Sequence, residues 1–267
     1  MNVSKSQKII YYYQEFTSLE PLVNANLRNV YLYISSIHFG KTMDGSHYIH
    51  INDDTPDNQP NLWKNAEYAF NNNIKIMIMM GGAGGAYTSL FSNYEVYYNL
   101  LYKFIKKYKI ISGIDLDIEE RVDIKDVEML ITRLKTDFGK NFIITMAPVA
   151  YSMYTDESGL GGFSYKTLNS SSIGKYIDWY NVQCYDETSF RIYDSIVKNG
   201  YSPSKIVFGM LGDNITKNTF GNTLDEISKI SLKYPNMSGV MLWEYYDTTI
   251  NPITWGKSIN SIFSIFY

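Results

Sequence analysis

The chain has 267 residues, of which 45% are hydrophobic and 19% are charged. This balance is typical of a folded protein and excludes a disordered chain, and the length suits one large α/β domain with a single core. The net charge of −3 and the scattered Lys and Arg residues exclude the basic surface that nucleic acid or an anionic membrane needs, so we expect neither as a partner.

The chain begins with polar and charged residues, Met1 to Lys8, followed by the short apolar run Ile9–Tyr13. This run is shorter than the core of a signal peptide or a membrane span. The single cysteine, Cys184, excludes an intramolecular disulfide and is compatible with the cytoplasm. We therefore expect no membrane attachment, a fold that needs no disulfide and a monomer, while localisation stays open.

Eight short apolar or β-branched runs recur along the chain, with helix-length segments between most of them. We predict strands at Ile9–Tyr13, Val30–Ser35, Ile74–Met80, Gly113–Glu119, Phe142–Ala147, Trp179–Tyr185, Ile206–Met210 and Val240–Trp243. The intervening segments Tyr94–Tyr108, Ile124–Phe138 and Leu224–Leu232 have the apolar spacing of amphipathic helices.

A strand followed by a helix, repeated eight times, predicts a single (β/α)8 TIM barrel, and we assign residues 1–267 to this one domain. An open, doubly wound sheet is the alternative, and the count of eight strands favours the closed barrel. The only long irregular stretches are Tyr48–Asn61 and Ser152–Ser164. Loops that follow barrel strands surround the active face, so both are candidate rims of a site.

Acidic and apolar residues alternate in the fourth predicted strand. A period of two places Asp115, Asp117 and Glu119 on one face of this strand, which in a barrel points inward. Neighbouring buried carboxylates repel one another and lose hydration, which raises the pKa of at least one of them. A carboxylic acid that keeps its proton near neutral pH can act as a general acid, and Glu119 is the best placed of the three.

Two other interpretations of this pattern stay open. The first is an amphipathic surface strand with one solvated face, and the second is a divalent metal site formed by the three acids. Zinc is disfavoured because the three histidines, His38, His47 and His50, contain no pair at helical ligand spacing; we expect them in solvated loops.

The acidic strand, GIDLDIE at residues 113–119, resembles the active-site strand of glycoside hydrolase family 18, the chitinases and endo-β-N-acetylglucosaminidases. Further segments are similar to other motifs of the family in the same order along the chain. These are the glycine-rich turn Gly81–Gly85, the strand ending Met146–Pro148, the Gln-x-Tyr-Asp segment Gln183–Asp186, and Trp243 at the end of the eighth strand.

The resemblance implies retaining, substrate-assisted hydrolysis of β-1,4 bonds beside N-acetylglucosamine, with no cofactor and no metal. It implies that Glu119 is the acid and base, that Asp117 holds the acetamido N–H, and that Asp115 is a charge partner behind Asp117. Tyr185 would donate to the acetamido carbonyl, and Trp243 would form the floor of the sugar site. The remaining residues that the resemblance places at the substrate are Gln183, Asp186, Gly81, Gly82 and Met146.

The chain departs from the family pattern at three places. Ser112 stands where the family has an acid, and the Ser-x-Gly-Gly sequence of the third strand is replaced by Met79–Gly82 or Gly82–Gly85. The segment between the last two predicted strands is too short for the α+β subdomain of many chitinases, which predicts a shallow, open cleft. Chitin, chito-oligosaccharides and the chitobiose core of N-glycans stay open as substrates, and a catalytically inactive lectin or inhibitor is the alternative function.

Overall fold

The computed structural model describes residues 7–246 and 248–265. Its strands are β1 (Lys8–Tyr13), β2 (Val30–Lys41), β3 (His47–Ile51), β4 (Lys75–Gly81), β5 (Ile111–Asp117), β6 (Ile143–Met146), β7 (Trp179–Gln183), β8 (Ile206–Leu211) and β9 (Gly239–Trp243). Eight of them are parallel and pair in the order β1-β9-β8-β7-β6-β5-β4-β2. Because β1 also pairs with β2, the sheet closes into the predicted (β/α)8 barrel.

Helices connect the strands and cover the barrel. They are α1 (Glu20–Asn24), α2 (Pro60–Asn71), α3 (Ala86–Ser92), α4 (Tyr94–Lys107), α5 (Ile124–Phe138), α6 (Tyr151–Tyr154), α7 (Tyr165–Ser170), α8 (Phe190–Lys198), α9 (Phe220–Lys233) and α10 (Pro252–Ser264). The predicted amphipathic segments correspond to α4, α5 and α9. In α5, for example, Val127, Leu130, Ile131 and Leu134 are buried against the barrel, as their spacing predicts.

The alternation of side chains along the strands produces two apolar layers. In β1, Tyr11 and Tyr13 belong to the large outer layer between strands and helices, whereas Tyr12 points into the barrel. The inner layer is filled by Ile10, Tyr12, Tyr31, Tyr33, Met77, Met79, Trp179, Val207 and Met241. The barrel interior is therefore packed with side chains.

The second strand extends well past the predicted end at Ser35. It continues to Lys41, turns, and pairs antiparallel with β3. The prediction of an irregular stretch from Tyr48 to Asn61 is therefore wrong, since this stretch contains most of β3 and the start of α2. The missed signal is Asp44-Gly45, a dipeptide that favours tight hairpin turns; Gly45 has a φ of +90°.

The histidines were likewise misplaced in loops. His38 lies on β2, and His47 and His50 lie on β3. The rings of His38 and His50 stack with their centroids 5.7 Å apart. Between β8 and β9 the chain forms only a 3-10 turn and α9, so residues 212–238 contain no extra sheet, as predicted.

Candidate active site

A pocket of about 290 Å³ opens at the C-terminal ends of the barrel strands. Its walls come from β2, from the ends of β4, β5, β7 and β9, and from the segments that follow β1, β4, β5 and β7. The lining residues are Gln14, Ser36, Met79, Gly82, Ala83, Asp117, Glu119, Gln183, Tyr185 and Trp243. The C-terminal end is where barrel enzymes hold their active sites, because loops from every strand converge there.

Asp115 lies beneath the pocket and is fully buried. Its carboxylate accepts hydrogen bonds from the Tyr12 hydroxyl at 2.7 Å, from the Asn181 amide at 3.0 Å, and from the Thr145 hydroxyl. Burial raises the pKa of Asp115 to about 6, although these three hydrogen bonds stabilise the charged form and oppose the shift. The three hydrogen bonds fix the position of the Asp115 carboxylate beneath the pocket.

Asp117 is the last residue of β5 and lies at the floor of the pocket with 5% of its surface exposed. Burial, and then the negative charges of Glu119 and Asp115, raise the pKa of Asp117 well above its ordinary value. The amide of Gln183 donates to its Oδ1 at 3.2 Å. The sequence predicted this effect of crowding and burial for at least one member of the acidic triplet.

Strand β5 was predicted to end at Glu119 but ends at Asp117. Glu119 therefore lies two residues beyond the strand. Its side chain is half-buried and lines the pocket. The Gln183 amide nitrogen donates to Glu119 Oε1 at 3.2 Å and to the Ala147 carbonyl at 2.9 Å. Gln183 therefore bridges Glu119 and Asp117 and fixes the two carboxylates beside each other.

Tyr185 and Trp243 form aromatic walls of the same pocket. Burial, followed by the charges of Asp117 and Glu119, raises the pKa of Tyr185 well above its ordinary value, so its hydroxyl stays protonated and can donate a hydrogen bond. The Trp243 ring packs against Tyr12 with centroids 5.2 Å apart. The peptide bond between Trp243 and Glu244 is cis.

The glycine-rich turn after β4 passes close to the acidic strand. A Cβ atom on Gly81 would lie 2.0 Å from the Asp117 carbonyl oxygen, and this glycine has a φ of +103°. The Gly82 N–H donates to the same carbonyl at 2.9 Å. Gly82 lines the pocket, whereas Gly81 shapes it through this contact and is not part of the lining.

Two of the predicted substrate residues lie away from the central pocket. Met146 is fully buried in the outer apolar layer together with Leu116, so its side chain faces the helices. Asp186 is exposed and lines an adjoining pocket with Tyr151 and Tyr154. Cys184 also faces the outer layer, as the alternation along this segment predicts, and burial raises the pKa of its thiol.

Sequence reasoning missed several residues at the site. Gln14 and Ser36 line the pocket, and the Ser36 hydroxyl donates to the Gly81 carbonyl at 2.8 Å. Thr145 and Asn181, the partners of Asp115, occupy inward positions of β6 and β7. In β7, Asn181 and Gln183 alternate with apolar residues, the same signal that revealed the acidic strand, whereas Thr145 is the single polar residue of β6.

The chain's hydroxyl groups near the acids come from strands other than β4, where the family pattern has its serine. Tyr12 on β1 and Thr145 on β6 donate to Asp115, and Ser36 on β2 supports the backbone at Gly81.

Among the described residues, no group of three or more His, Cys, Asp or Glu side chains is arranged to hold a metal ion. Over the same residues, no helix has the length and apolar character to cross a membrane.

Comparisons with known proteins identify the family to which the chain and its fold belong. The family model for glycosyl hydrolases family 18 matches residues 7–219. A fungal endo-β-N-acetylglucosaminidase of that family superposes with a TM-score of 0.83 and 30% sequence identity, covering 96% of this chain and 97% of that chain. A chitinase from Aspergillus fumigatus superposes with a TM-score of 0.81 and 30% sequence identity, covering 96% of this chain and 99% of that chain.

A chitinase from Pseudoalteromonas aurantia shares the fold, with a TM-score of 0.65 and 20% sequence identity. The match covers 96% of this chain and 100% of that chain. The comparison with curated proteins finds no match. The barrel, its acidic strand and these matches make the protein a glycoside hydrolase. It belongs to glycosyl hydrolases family 18, whose model spans most of the chain.

Proposed function

We propose that the protein cleaves β-1,4 bonds next to N-acetylglucosamine, using Glu119 as acid and base and the substrate's own acetamido group as nucleophile. The observation that carries this proposal is the bridge from Gln183 to both Asp117 and Glu119 in a pocket walled by Tyr185 and Trp243. Such a pocket offers a proton donor, an acceptor for an amide N–H, a hydroxyl donor and an aromatic surface for a sugar ring.

The similar structures support an N-acetylglucosamine-containing substrate. One is described as an endo-β-N-acetylglucosaminidase and another as a chitinase, at equal sequence identity. Chitin, chito-oligosaccharides and the chitobiose core of N-glycans share the bond and the acetamido groups that the pocket would recognise. The proposed substrate class therefore includes both chitin-type sugars and N-glycans, and the experiment below distinguishes between them.

In the first step, Glu119 gives its proton to the glycosidic oxygen as the bond to the anomeric carbon breaks. The acetamido carbonyl oxygen attacks the anomeric carbon and forms a cyclic oxazolinium ion. Asp117 accepts the acetamido N–H and stabilises the positive charge, and the Tyr185 hydroxyl orients the carbonyl.

In the second step, the Glu119 carboxylate takes a proton from a water molecule, whose oxygen attacks the anomeric carbon and opens the ring. Two successive inversions retain the β configuration, and the proton returns Glu119 to its starting state. Asp115 touches no substrate in this scheme. Its negative charge beneath Asp117 acts through that residue, so Asp115 is a positioning residue.

The direct test measures hydrolysis of a fluorogenic chitotrioside and of a high-mannose glycopeptide by the wild type and by Glu119→Gln. The amide preserves the size of the side chain but cannot transfer a proton as an acid, so we expect kcat to fall by about 10² to 10⁴ on whichever substrate the wild type cleaves. Glu67→Gln, an exposed site on α2, is the matched control and should retain full activity.

Either of two results would contradict the proposal. One is a Glu119→Gln variant that cleaves at the wild-type rate. The other is a wild type that cleaves neither substrate yet binds both as tightly as the variant does, which would make the protein a carbohydrate-binding member of its family.

A further inference from the structure

Glu119 lies in a loop segment, so the hydrogen bonds of β5 do not fix its position. One tie of this segment lies on its C-terminal side, where the Val122 N–H donates to the Gly161 carbonyl at 3.0 Å. Besides the Gln183 contact to the Glu119 carboxylate, a further tie comes from the side chain of Glu120, the residue that directly follows Glu119.

The carboxylate of Glu120 points away from the pocket and caps the first turn of α3. Its Oε1 accepts the Tyr87 N–H at 2.6 Å, and its Oε2 accepts the Thr88 N–H at 3.1 Å. The Thr88 hydroxyl also donates to Oε2. Three donors on two consecutive residues therefore bind one carboxylate, an arrangement that fixes its orientation as well as its place.

The anchor itself is firmly held. Tyr87 is fully buried, and its hydroxyl donates to the Met80 carbonyl at 2.8 Å, which ties α3 to β4. Ala86 and Leu90 of the same helix are also buried. Glu120 thus connects the Glu119 segment to a helix that is packed against the barrel wall.

We propose that Glu120 is a positioning residue for the reaction, holding the backbone of Glu119 so that the acid reaches the glycosidic oxygen. This inference rests on the assignment of Glu119 as the general acid. A displacement of about 1 Å in a catalytic group can cost up to about 10²-fold in rate, so the tie has a measurable effect.

Glu120→Gln tests this role because it preserves side-chain size but leaves one acceptor oxygen for three donors. Glu226→Gln is the matched control: Glu226 on α9 accepts the Phe190 N–H at the start of α8 at 2.6 Å and lines none of the pockets. Both variants lose a carboxylate that holds a helix start. Only the first is expected to affect catalysis.

The readout compares two leaving groups by kcat/KM, which reports the first irreversible step. Chitotriose needs a proton for its sugar leaving group, whereas a 2,4-dinitrophenyl chitobioside has a leaving group that departs unprotonated. We expect Glu120→Gln to lower kcat/KM for chitotriose by about tenfold and for the aryl glycoside by less than about twofold. Glu226→Gln should match the wild type on both substrates.

Equal losses on the two substrates, or a Glu120→Gln variant that matches Glu226→Gln, would overturn the inference. Crystal structures of the wild type and Glu120→Gln give a readout that is independent of activity, since the 3.2 Å contact between Gln183 and Glu119 should lengthen. An unchanged contact would also overturn it. A wild type that cleaves neither substrate would contradict the proposed function, and the two crystal structures would then decide the role of Glu120.

If Glu120→Gln does not fold, Thr88→Ala provides the test. It removes the hydroxyl donor and leaves both N–H bonds to Glu120 intact. We expect a smaller selective loss on chitotriose, about twofold, with the aryl glycoside unaffected. No difference between Thr88→Ala and the wild type on chitotriose would then overturn the inference.

Discussion

Asp115 and Asp117 show how two positions on one face of a strand acquire different surroundings. Asp115 accepts three hydrogen bonds from side chains on three other strands, whereas Asp117 has the Gln183 amide on one oxygen and faces the pocket. Both pKa values are raised, chiefly by burial, and Asp117 is raised further by the charges of Glu119 and Asp115. A raised pKa means that the folded protein holds the proton more tightly than the unfolded chain does.

Replacing Asp117 by Asn should therefore change how stability depends on pH. In the wild type, tighter binding of this proton stabilises the folded state. This stabilisation is fully present below the pKa of Asp117 in the unfolded chain, near 3.8, and is lost as pH rises through its pKa in the folded protein. Asn cannot ionise, and its Oδ1 can still accept from Gln183. We therefore compare the melting temperature of the variant minus that of the wild type at two pH values. This difference should be larger at pH 8 than at pH 5.

Calorimetric melting at the two pH values checks this expectation, with Asp213→Asn at an exposed position as the control. The control should differ from the wild type by the same amount at both values. If the Asp117→Asn difference were also constant, or smaller at pH 8, burial of a charged Asp117 would not be costly and the account of this carboxylate would be wrong.

Among the structural elements, the glycine-rich turn after β4 has little room for a side chain at Gly81. Gly81→Ala should unfold or strongly destabilise the protein, by about 3 kcal/mol or more, because the new Cβ would overlap the Asp117 carbonyl and the positive φ disfavours any side chain. Gly221→Ala, in open space on α9, should instead stabilise by about 0.5 kcal/mol.

Chemical denaturation of both variants measures these differences. An Ala at position 81 that is tolerated as well as an Ala at position 221 would show that the turn can move away from β5. The site would then not depend on the close approach of these two strands.

The sequence predicted the elements that repeat and missed those that do not. All eight barrel strands were found, because each is a short apolar run between turn signals, and the acidic strand was recognised from its period of two. The β2–β3 hairpin was missed because its strands carry polar residues such as His38 and His50. The boundary of β5 was misplaced by two residues, because Ile118 and Glu119 continue the alternation after the ladder of hydrogen bonds has ended.

The family resemblance places Gln183 at the same site as the acids, but the sequence did not predict the hydrogen bonds that the acids make. Asp115 and Tyr12 are 103 positions apart in sequence, and Gln183 and Asp117 are 66 apart. Only closure of the barrel brings these side chains together. The motif therefore identified the acids, whereas the hydrogen bonds that orient them required the structure.

Over the whole molecule, the site is part of a groove. The central pocket shares Gln14 and Ser36 with a polar pocket beside the β2–β3 hairpin, and shares Gln183 and Tyr185 with a pocket lined by further tyrosines. Further pockets therefore adjoin the central pocket on two sides.

The buried thiol of Cys184 provides a probe of global stability. It is 2% exposed, and burial raises its pKa, so the reactive thiolate is scarce in the folded protein. We expect labelling by a thiol reagent to proceed only as fast as the barrel unfolds and to reach one group per chain. Rapid labelling of the native protein would show that this part of the barrel opens locally.

The central claim is that the acetamido group of the substrate acts as nucleophile with Glu119 as acid. It is tested most directly by comparing kcat/KM for two aryl chitobiosides that differ only in carrying acetyl or trifluoroacetyl groups on nitrogen. Fluorine withdraws electrons from the attacking carbonyl, so the account predicts that the trifluoroacetyl substrate is cleaved at least about tenfold more slowly, a barrier increase of about 1.4 kcal/mol. Equal rates would contradict it and indicate a nucleophile supplied by the protein.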